Sequence, residues 1–330
     1  MKIGDRVDAI LELKDFYDKI KNPIDDDKVL DTIVEAYSKS SNHSGSLKRI
    51  LQKMQLKKKD SGFIDSKDRR VFEKAMRDFL NRGYIRLNKK TSWTRIESCF
   101  PWIKYEYSAS AKHIFCLNVD SKCLYLIVTD LIKLFVDAGL PFCVEFDEFG
   151  KRVDNIVIYT PTKYLLKNLQ ILRQLKLNHL PLMKYFYKPS LLTGKIDDNI
   201  GYITNSNQIS YLDLMLNIIN AALRNATIDW VLANQDYTIK DGGKNISLKE
   251  YIIKKKSNLS KKSLDEMVKK LSLKIISTNC QSYLNFVRHY IKEESSKKGV
   301  DPDKFVFDKK AVSQMKRQSQ INMIKFRRII

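Results

Sequence analysis

Glycine and proline are scarce in this 330-residue chain, at 11 and 7 residues. That scarcity excludes collagen-like repeats and Gly/Pro-rich linkers and argues against a many-turned all-β architecture. Histidine is scarcer still: His43, His113, His179 and His289 are the whole set, too few and too scattered for a histidine-rich metal site. The five cysteines (Cys99, Cys116, Cys123, Cys143 and Cys280) form no C-x-x-C pair and no compact Cys/His cluster. An odd count of this kind fits reduced, mostly buried thiols, and supports neither a disulfide scaffold nor a structural zinc site. The phosphate loop G-x-x-x-x-G-K-[ST], the dinucleotide fingerprint G-x-G-x-x-G, H-E-x-x-H, G-x-S-x-G and the EF-hand loop are all missing. No metal and no cofactor is therefore expected. Met1-Lys2-Ile3-Gly4-Asp5-Arg6 opens no apolar h-region, so no cleaved secretory signal is expected. The most apolar stretch, Cys123 to Phe142, contains Asp130, Lys133 and Asp137. Each of these would cost about 3 kcal/mol at a membrane midplane, so the stretch reads as a core helix and no membrane span is expected.

What is abundant is positive charge. The chain is 43% hydrophobic and 30% charged, enough to bury a core, and its net charge is +22. The excess is uneven: +7 over residues 1–100, +2 over 101–240 and +13 over 241–330. A near-neutral middle with a basic tail points to polyanions, acidic proteins or a membrane surface as partners. Lys254-Lys255-Lys256, Lys261-Lys262, Lys269-Lys270 and Arg327-Arg328 recur on predicted helices. They read either as solvated faces or as a surface for nucleic acid over residues 246–330.

Three segments follow from the change in pattern. Residues 1–100 read as a helical subdomain: apolar residues recur at helical spacing from Ile10 to Ile20, and Asp25 to Asp27 supply caps for a helix around Val29 to Tyr37. Another helix runs from Asp68 to Asn81, with Arg82-Gly83 as its stop, followed by a possible strand pair near Tyr84–Leu87 and Thr94–Ile96. Helices followed by a strand pair also outline a winged helix. Residues 101–245 read as an α+β core. Strands are predicted over 112–119, 142–146 and 153–159, the last two as an antiparallel hairpin, with a helix over 124–138 packed on the sheet. A helix follows Pro161, and residues 188–202 read as a long polar loop. Helices are predicted over 212–223 and 227–233, with a turn at Asp241-Gly242-Gly243. Residues 246–330 complete the chain as basic helices. The fold class is thus α+β: a central mixed sheet with packed helices, flanked by helical regions. Trp102 and Trp230, in apolar contexts, read as core residues.

The middle segment carries a resemblance. Lys112-His113-Ile114-Phe115-Cys116-Leu117-Asn118-Val119 precedes a helix, then come Leu140-Pro141-Phe142-Cys143-Val144-Glu145-Phe146 and Arg152-Val153-Asp154-Asn155-Ile156-Val157-Ile158-Tyr159. Tyr187-Lys188-Pro189, Ile200-Gly201-Tyr202 and Ser210-Tyr211 follow. In order and spacing, residues 105–225 resemble the HopA family of type III effectors and the related lyase components of lanthipeptide-type maturation, which are similar in fold to bacterial phosphothreonine lyases. The resemblance implies β-elimination of phosphate from phosphothreonine or phosphoserine in a peptide, which needs a base, an acid and cations to hold the dianion. It implies His113 as the acid and Arg152 as a phosphate ligand. Read separately from the resemblance, the polar loop offers a candidate anion site of Lys188, Lys195 and Arg152, with Tyr159 and Tyr202 as hydroxyl partners. Each residue also has a plainer reading: His113 as a hydrogen-bonded core histidine, Arg152 as a turn charge paired to Asp154, and the lysines as solvated loop residues.

The same resemblance exposes departures. Lyases of this kind carry K-x-H on the strand, since residues two apart share a face, and here Ala111 stands at the lysine position. Glu145 stands where a lysine is usual on the next strand, and Met215 where an arginine is expected. An acidic group beside a phosphate dianion is repulsive. The leading expectation is a HopA-like protein with a degenerate lyase-like cleft that binds a peptide or protein partner, phosphorylated or not. It would act in the cytoplasm or be delivered as an effector without a cleaved signal. An active phosphopeptide lyase and a nucleic-acid binder using the basic tail are the alternatives.

Overall fold

The computed structural model describes residues 16, 18–40, 47, 49–51, 66–90, 93–100, 113–148, 153–204, 211–255, 261–278, 280–298 and 300–301. Two compact units interleave along the chain. One comprises Met1–Lys21, Leu56–Gln208 and Val306–Ile330, the other Asn22–Gln55 and Ile209–Phe305. Segmentation at 1–100, 101–245 and 246–330 marks where sequence character changes; the units draw on stretches from more than one of these segments.

In chain order the elements are α1 (Asp27–Lys39), α2 (Ser66–Asn81), β1 (Ile85–Lys90), β2 (Trp93–Ser98), β3 (His113–Val119), α3 (Leu124–Asp137), β4 (Cys143–Asp147), β5 (Ile156–Thr160) and α4 (Leu165–Asn178). There follow β6 (Phe186–Tyr187), β7 (Gly194–Lys195), β8 (Ile200–Thr204), α5 (Tyr211–Ala233), β9 (Thr238–Asp241), β10 (Lys244–Ser247), α6 (Leu248–Lys255), α7 (Lys261–Ile276) and α8 (Gln281–Lys297). The architecture is α+β, as the pattern predicts.

The first unit is built on a sheet that holds eight strands among the described residues, in the order β1-β2-β4-β5-β3-β8-β7 with β6 also pairing β3. Every described pairing is antiparallel, which corrects the expectation of a mixed sheet. The reason lies in the order: β3 and β4, joined through α3, run the same way but are separated by β5, which is antiparallel to both. The strand pair after α2 is present, yet β2 hydrogen-bonds to β4, so the pair extends the central sheet instead of forming the wing of a small separate domain. Residues 188–202, read from sequence as a loop, contribute β7 and part of β8. At Gly201 an added Cβ would sit 2.8 Å from Pro189 Cβ and 2.9 Å from Thr193 Oγ1, so only glycine fits where this connection folds back over β8.

Three helices cover one face of the sheet. Phe72 of α2 and Tyr125 of α3 both meet Phe146 of β4, with ring centroids 5.5 and 6.0 Å apart. The α4 residue Asn168 donates from Nδ2 to Thr160 Oγ1 of β5 at 3.0 Å. Along α3 the buried residues include Leu124, Ile127, Val128, Leu131, Ile132 and Phe135. Asp130, Lys133 and Asp137 are kept on its more exposed side, the pattern of a helix laid on a core. Among the described residues no helix is long and apolar enough to cross a membrane.

The second unit is helical with one hairpin. α1 is capped by Asp26, whose side chain accepts from the Lys28 N–H. α5 runs unbroken through the expected interruption near residue 225. Thr227 returns its hydroxyl to the Leu223 carbonyl at 2.7 Å and also meets the Tyr283 hydroxyl at 2.9 Å. Trp230 is buried, donates to Ser282 Oγ at 3.2 Å and packs edge-on against Tyr237 and Tyr283. β9 and β10 are joined by Gly242-Gly243, both at positive φ (58° and 82°), the geometry of a type I′ turn. Several tail lysines are tied down inside this unit. Lys269 is buried, with Nζ donating to the Ser40 carbonyl at 3.0 Å, and Lys274 donates to Asp241 at 2.7 Å. Met215, the expected arginine position, lies buried on α5.

Candidate functional site

Strand parity decides which candidate residues can meet. Successive side chains on a strand point to opposite faces, and the register carries that alternation across the sheet. Thr160 stands opposite His113, and Phe115 stands opposite both Ile158 and Tyr202. All of these face the helices. Tyr159 stands opposite Cys143 and Ile114, and Glu145 opposite Val157 and Arg95. These lie on the other face.

His113 is 1% exposed. Its Nδ1 is 2.5 Å from the Tyr202 hydroxyl and its Nε2 is 3.0 Å from Thr162 Oγ1. Both ring nitrogens are thus engaged by hydroxyls in the layer between sheet and helices, and the geometry is that of a core histidine. Tyr202 belongs to the same layer, packed edge-on against Phe16 at 5.2 Å and near Phe115 at 5.6 Å.

The opposite face carries a polar network that spans β2, β4 and β5. Arg95 Nη1 donates to Glu145 Oε1 at 3.1 Å, and Arg95 Nε donates to Glu97 Oε1 at 2.6 Å. Tyr159 donates its hydroxyl to Glu145 Oε2 at 3.0 Å, and the Arg95 guanidinium lies 5.9 Å from the Tyr159 ring centroid. Cys143 offers its thiol to Glu97 Oε1 at 3.7 Å. Burial, and then the neighbouring Glu145 carboxylate, push the Tyr159 phenol well above its ordinary range. Burial likewise pushes the Cys143 thiol far up. Neither supplies a base or a nucleophile near neutral pH. With one guanidinium and two carboxylates, the network has a net charge of −1. Its donors and acceptors are satisfied by one another, an arrangement suited to holding polar side chains in place and poorly suited to a phosphate dianion.

Other candidates fall elsewhere. Lys188 is exposed, and its carbonyl accepts from Asn118 Nδ2 at 2.8 Å. Lys195 lies on β7 opposite Gly201, with its backbone bridged to Lys21 in both directions at 3.0 and 3.2 Å. From Tyr159 on β5 to Lys195 on β7 is three strand spacings, roughly 14 Å. Arg152 and Ala111 lie outside the described residues. Asp154 accepts from the Ser190 N–H at 2.9 Å. Among the described residues no group of His, Cys, Asp and Glu is placed to hold a metal ion. The structure therefore brings Tyr159 and Glu145 together and keeps His113 on the opposite side of the sheet. Arg95 and Glu97 were missed from sequence. The alternation Trp93-Thr94-Arg95-Ile96-Glu97 puts them on one face, but only the pairing of β2 with β4 shows what that face meets.

These features define an α+β fold in which an antiparallel sheet is covered on one face by three helices. No family model matches the chain, and no curated protein matches it. Among solved structures it is similar to an effector protein from Pseudomonas syringae pv. tomato strain DC3000, with a TM-score of 0.53 at 11% identity over 87% of this chain and 98% of that one. A second, the effector protein from Pseudomonas syringae pv. syringae strain 61, gives a TM-score of 0.48 at 7% identity over 85% and 98%. The type III effector and phosphothreonine lyase OspF from Shigella flexneri gives 0.31 at 11% identity over 48% and 90%. The first of these shows a shared fold.

Proposed function

We propose that this chain is a HopA-like protein whose lyase-like sheet face binds a peptide or protein partner without eliminating phosphate. The observation that supports this most is the Arg95–Glu145–Tyr159 network. The one arginine described there is committed to two carboxylates, and the tyrosine is held protonated as a donor to one of them. His113, the expected acid, is enclosed on the other face. Delivery as an effector accords with the description of the fold neighbour; action in the cytoplasm is the alternative. The test is incubation of the full chain with a phosphothreonine peptide, followed by mass spectrometry and a free-phosphate assay. The peptide is expected to keep its mass. Turnover to a product lighter by phosphoric acid, abolished by changing Arg152 or Lys188, overturns the reading and restores the lyase.

A further inference from the structure

Among the described residues the sheet ends at β1, and that edge presents a row of backbone groups. Antiparallel partners alternate between exchanging both backbone hydrogen bonds and exchanging none. The Cys99 N–H donates to the Tyr84 carbonyl at 2.8 Å, so the bonded pairs run Tyr84–Cys99, Arg86–Glu97 and Asn88–Arg95 along the register. The N–H and C=O groups of Ile85, Leu87 and Lys89 consequently point away from β2. Among the described residues no strand pairs with that side of β1. Beside this row of backbone groups lies a recess of about 650 Å³ lined by Leu80, Ile85, Arg86, Leu87, Arg95 and Glu97. It offers an apolar wall from the helix side and a polar wall from the other face.

The charge at the edge selects the occupant. The Arg86 side chain is exposed and, among the described residues, makes no hydrogen bond or ion pair. Lys89 is 57% exposed and reaches only Glu148, at 3.3 Å. A second copy of β1 laid antiparallel would set these cations against cations, and like charges across a strand pair are destabilising. A strand with carboxylates at alternate positions would meet Arg86 on one side and place its intervening apolar residues toward Leu80 and Leu87. We propose that the outer edge of β1 is a strand-addition site for an extended, acidic peptide segment of a partner protein, with the recess receiving one of its side chains. This goes beyond the reading of the polar face: the backbone row, unpaired among the described residues, does not depend on whether that face holds a ligand.

The test uses a fluorescent octapeptide of alternating Val and Glu, its Val/Lys counterpart, and two N-methylated forms of the acidic peptide, one methylated at the odd residues and one at the even. In strand addition only alternate peptide N–H groups face the host strand. One methylated form is therefore expected to lose at least tenfold in affinity by anisotropy while the other binds as the parent does. The Val/Lys peptide should not bind up to 1 mM, and Arg86→Glu should weaken the acidic peptide at least tenfold while leaving the far-UV spectrum unchanged. No binding of the acidic peptide at 1 mM overturns the proposal. So does equal loss, or no loss, in both methylated forms, which would mark a merely electrostatic or side-chain contact. An unchanged phosphopeptide mass alongside absent strand binding would refute this proposal alone. Phosphate elimination alongside register-dependent binding would refute only the reading of the sheet face.

Discussion

Changing Glu145 to Gln should convert the polar face from one that repels phosphate to one that tolerates it. The Arg95, Glu97 and Glu145 side chains are 24, 32 and 22% exposed, so the surroundings are neither bulk water nor dry interior, and an effective dielectric near 20 is appropriate. At about 8 Å, the loss of one negative charge relieves about 2 kcal/mol per unit of phosphate charge before screening; for a dianion in salt with a Debye length of about 8 Å this falls to about 1.5–2 kcal/mol in all, roughly 10- to 30-fold in affinity. The amide can still accept from Tyr159, and Arg95 keeps Glu97, so stability should move by no more than about 1 kcal/mol for a half-screened pair. Titration calorimetry with a phosphothreonine peptide in moderate salt should show binding near 1 mM for wild type and in the tens of micromolar for Glu145→Gln. Equal affinities for the two proteins would refute the idea that this carboxylate governs anion access. The companion change suggested by sequence, Met215→Arg, should instead unfold the protein locally, because Met215 is fully buried on α5 and an unpaired charge there has nothing to neutralise it.

Other changes separate structural from site roles. His113→Ala removes both contacts to Tyr202 and Thr162 and should lower stability by about 2–4 kcal/mol in denaturant titration, with phosphopeptide affinity unaltered; a selective loss of affinity would return His113 to the site. Gly201→Ala should cost about 1–3 kcal/mol through overpacking, read as a lower melting temperature, and a neutral result would show that the Pro189 segment yields easily. The fold favours the neutral phenols of Tyr159 and Tyr283, both raised by burial, and of Tyr125, which burial and Glu148 push up to about 12. Their stabilisation is complete below the unfolded value near 10 and is lost as pH rises through the folded ones, so the urea midpoint should fall as pH rises from about 10 toward 12 and fall less in Tyr159→Phe. A flat midpoint contradicts this. If residues 246–330 bind polyanions, heparin affinity should drop log-linearly with salt, and Lys269→Met should leave that slope unchanged because Lys269 is turned onto Ser40 and Tyr37.

Local pattern made the strands at β3, β4 and β5 and the helix α3 legible, because each alternates or repeats with the period of its own element. Glu145 could be assigned to the face of Cys143 from parity alone, and that assignment holds. What parity cannot supply is which strands lie side by side. The order that inserts β5 between β3 and β4 puts His113 behind the sheet from Glu145, and this depends on pairings between residues far apart in sequence. β6 and β7 have two residues each, too short to show alternation, which is why 188–202 reads as a loop. α5 reads as two helices because Arg224, Asn225 and Ala226 interrupt the apolar run and Thr227 looks like a fresh start. The Thr227 hydroxyl, satisfied by Leu223 and Tyr283, removes the reason for one.

The second unit joins Asn22–Gln55 to Ile209–Phe305, and this has a consequence in time. α1 is held by groups from α7 and α8: Arg288 donates to the Ile24 carbonyl at 3.2 Å and pairs with Asp27, Gln281 donates to Asp27 at 3.1 Å, and Lys269 caps Ser40. More than two hundred residues must be synthesised between α1 and its last partners, which at about 5–20 residues per second takes roughly 12–50 s. Val29, Leu30, Ile33 and Val34, buried in the finished unit, have no native cover from α7 or α8 for all of that interval. The nascent chain thus presents an amphipathic helix early and closes over it late, so its yield during synthesis, more than its final stability, should respond to anything that shields that helix.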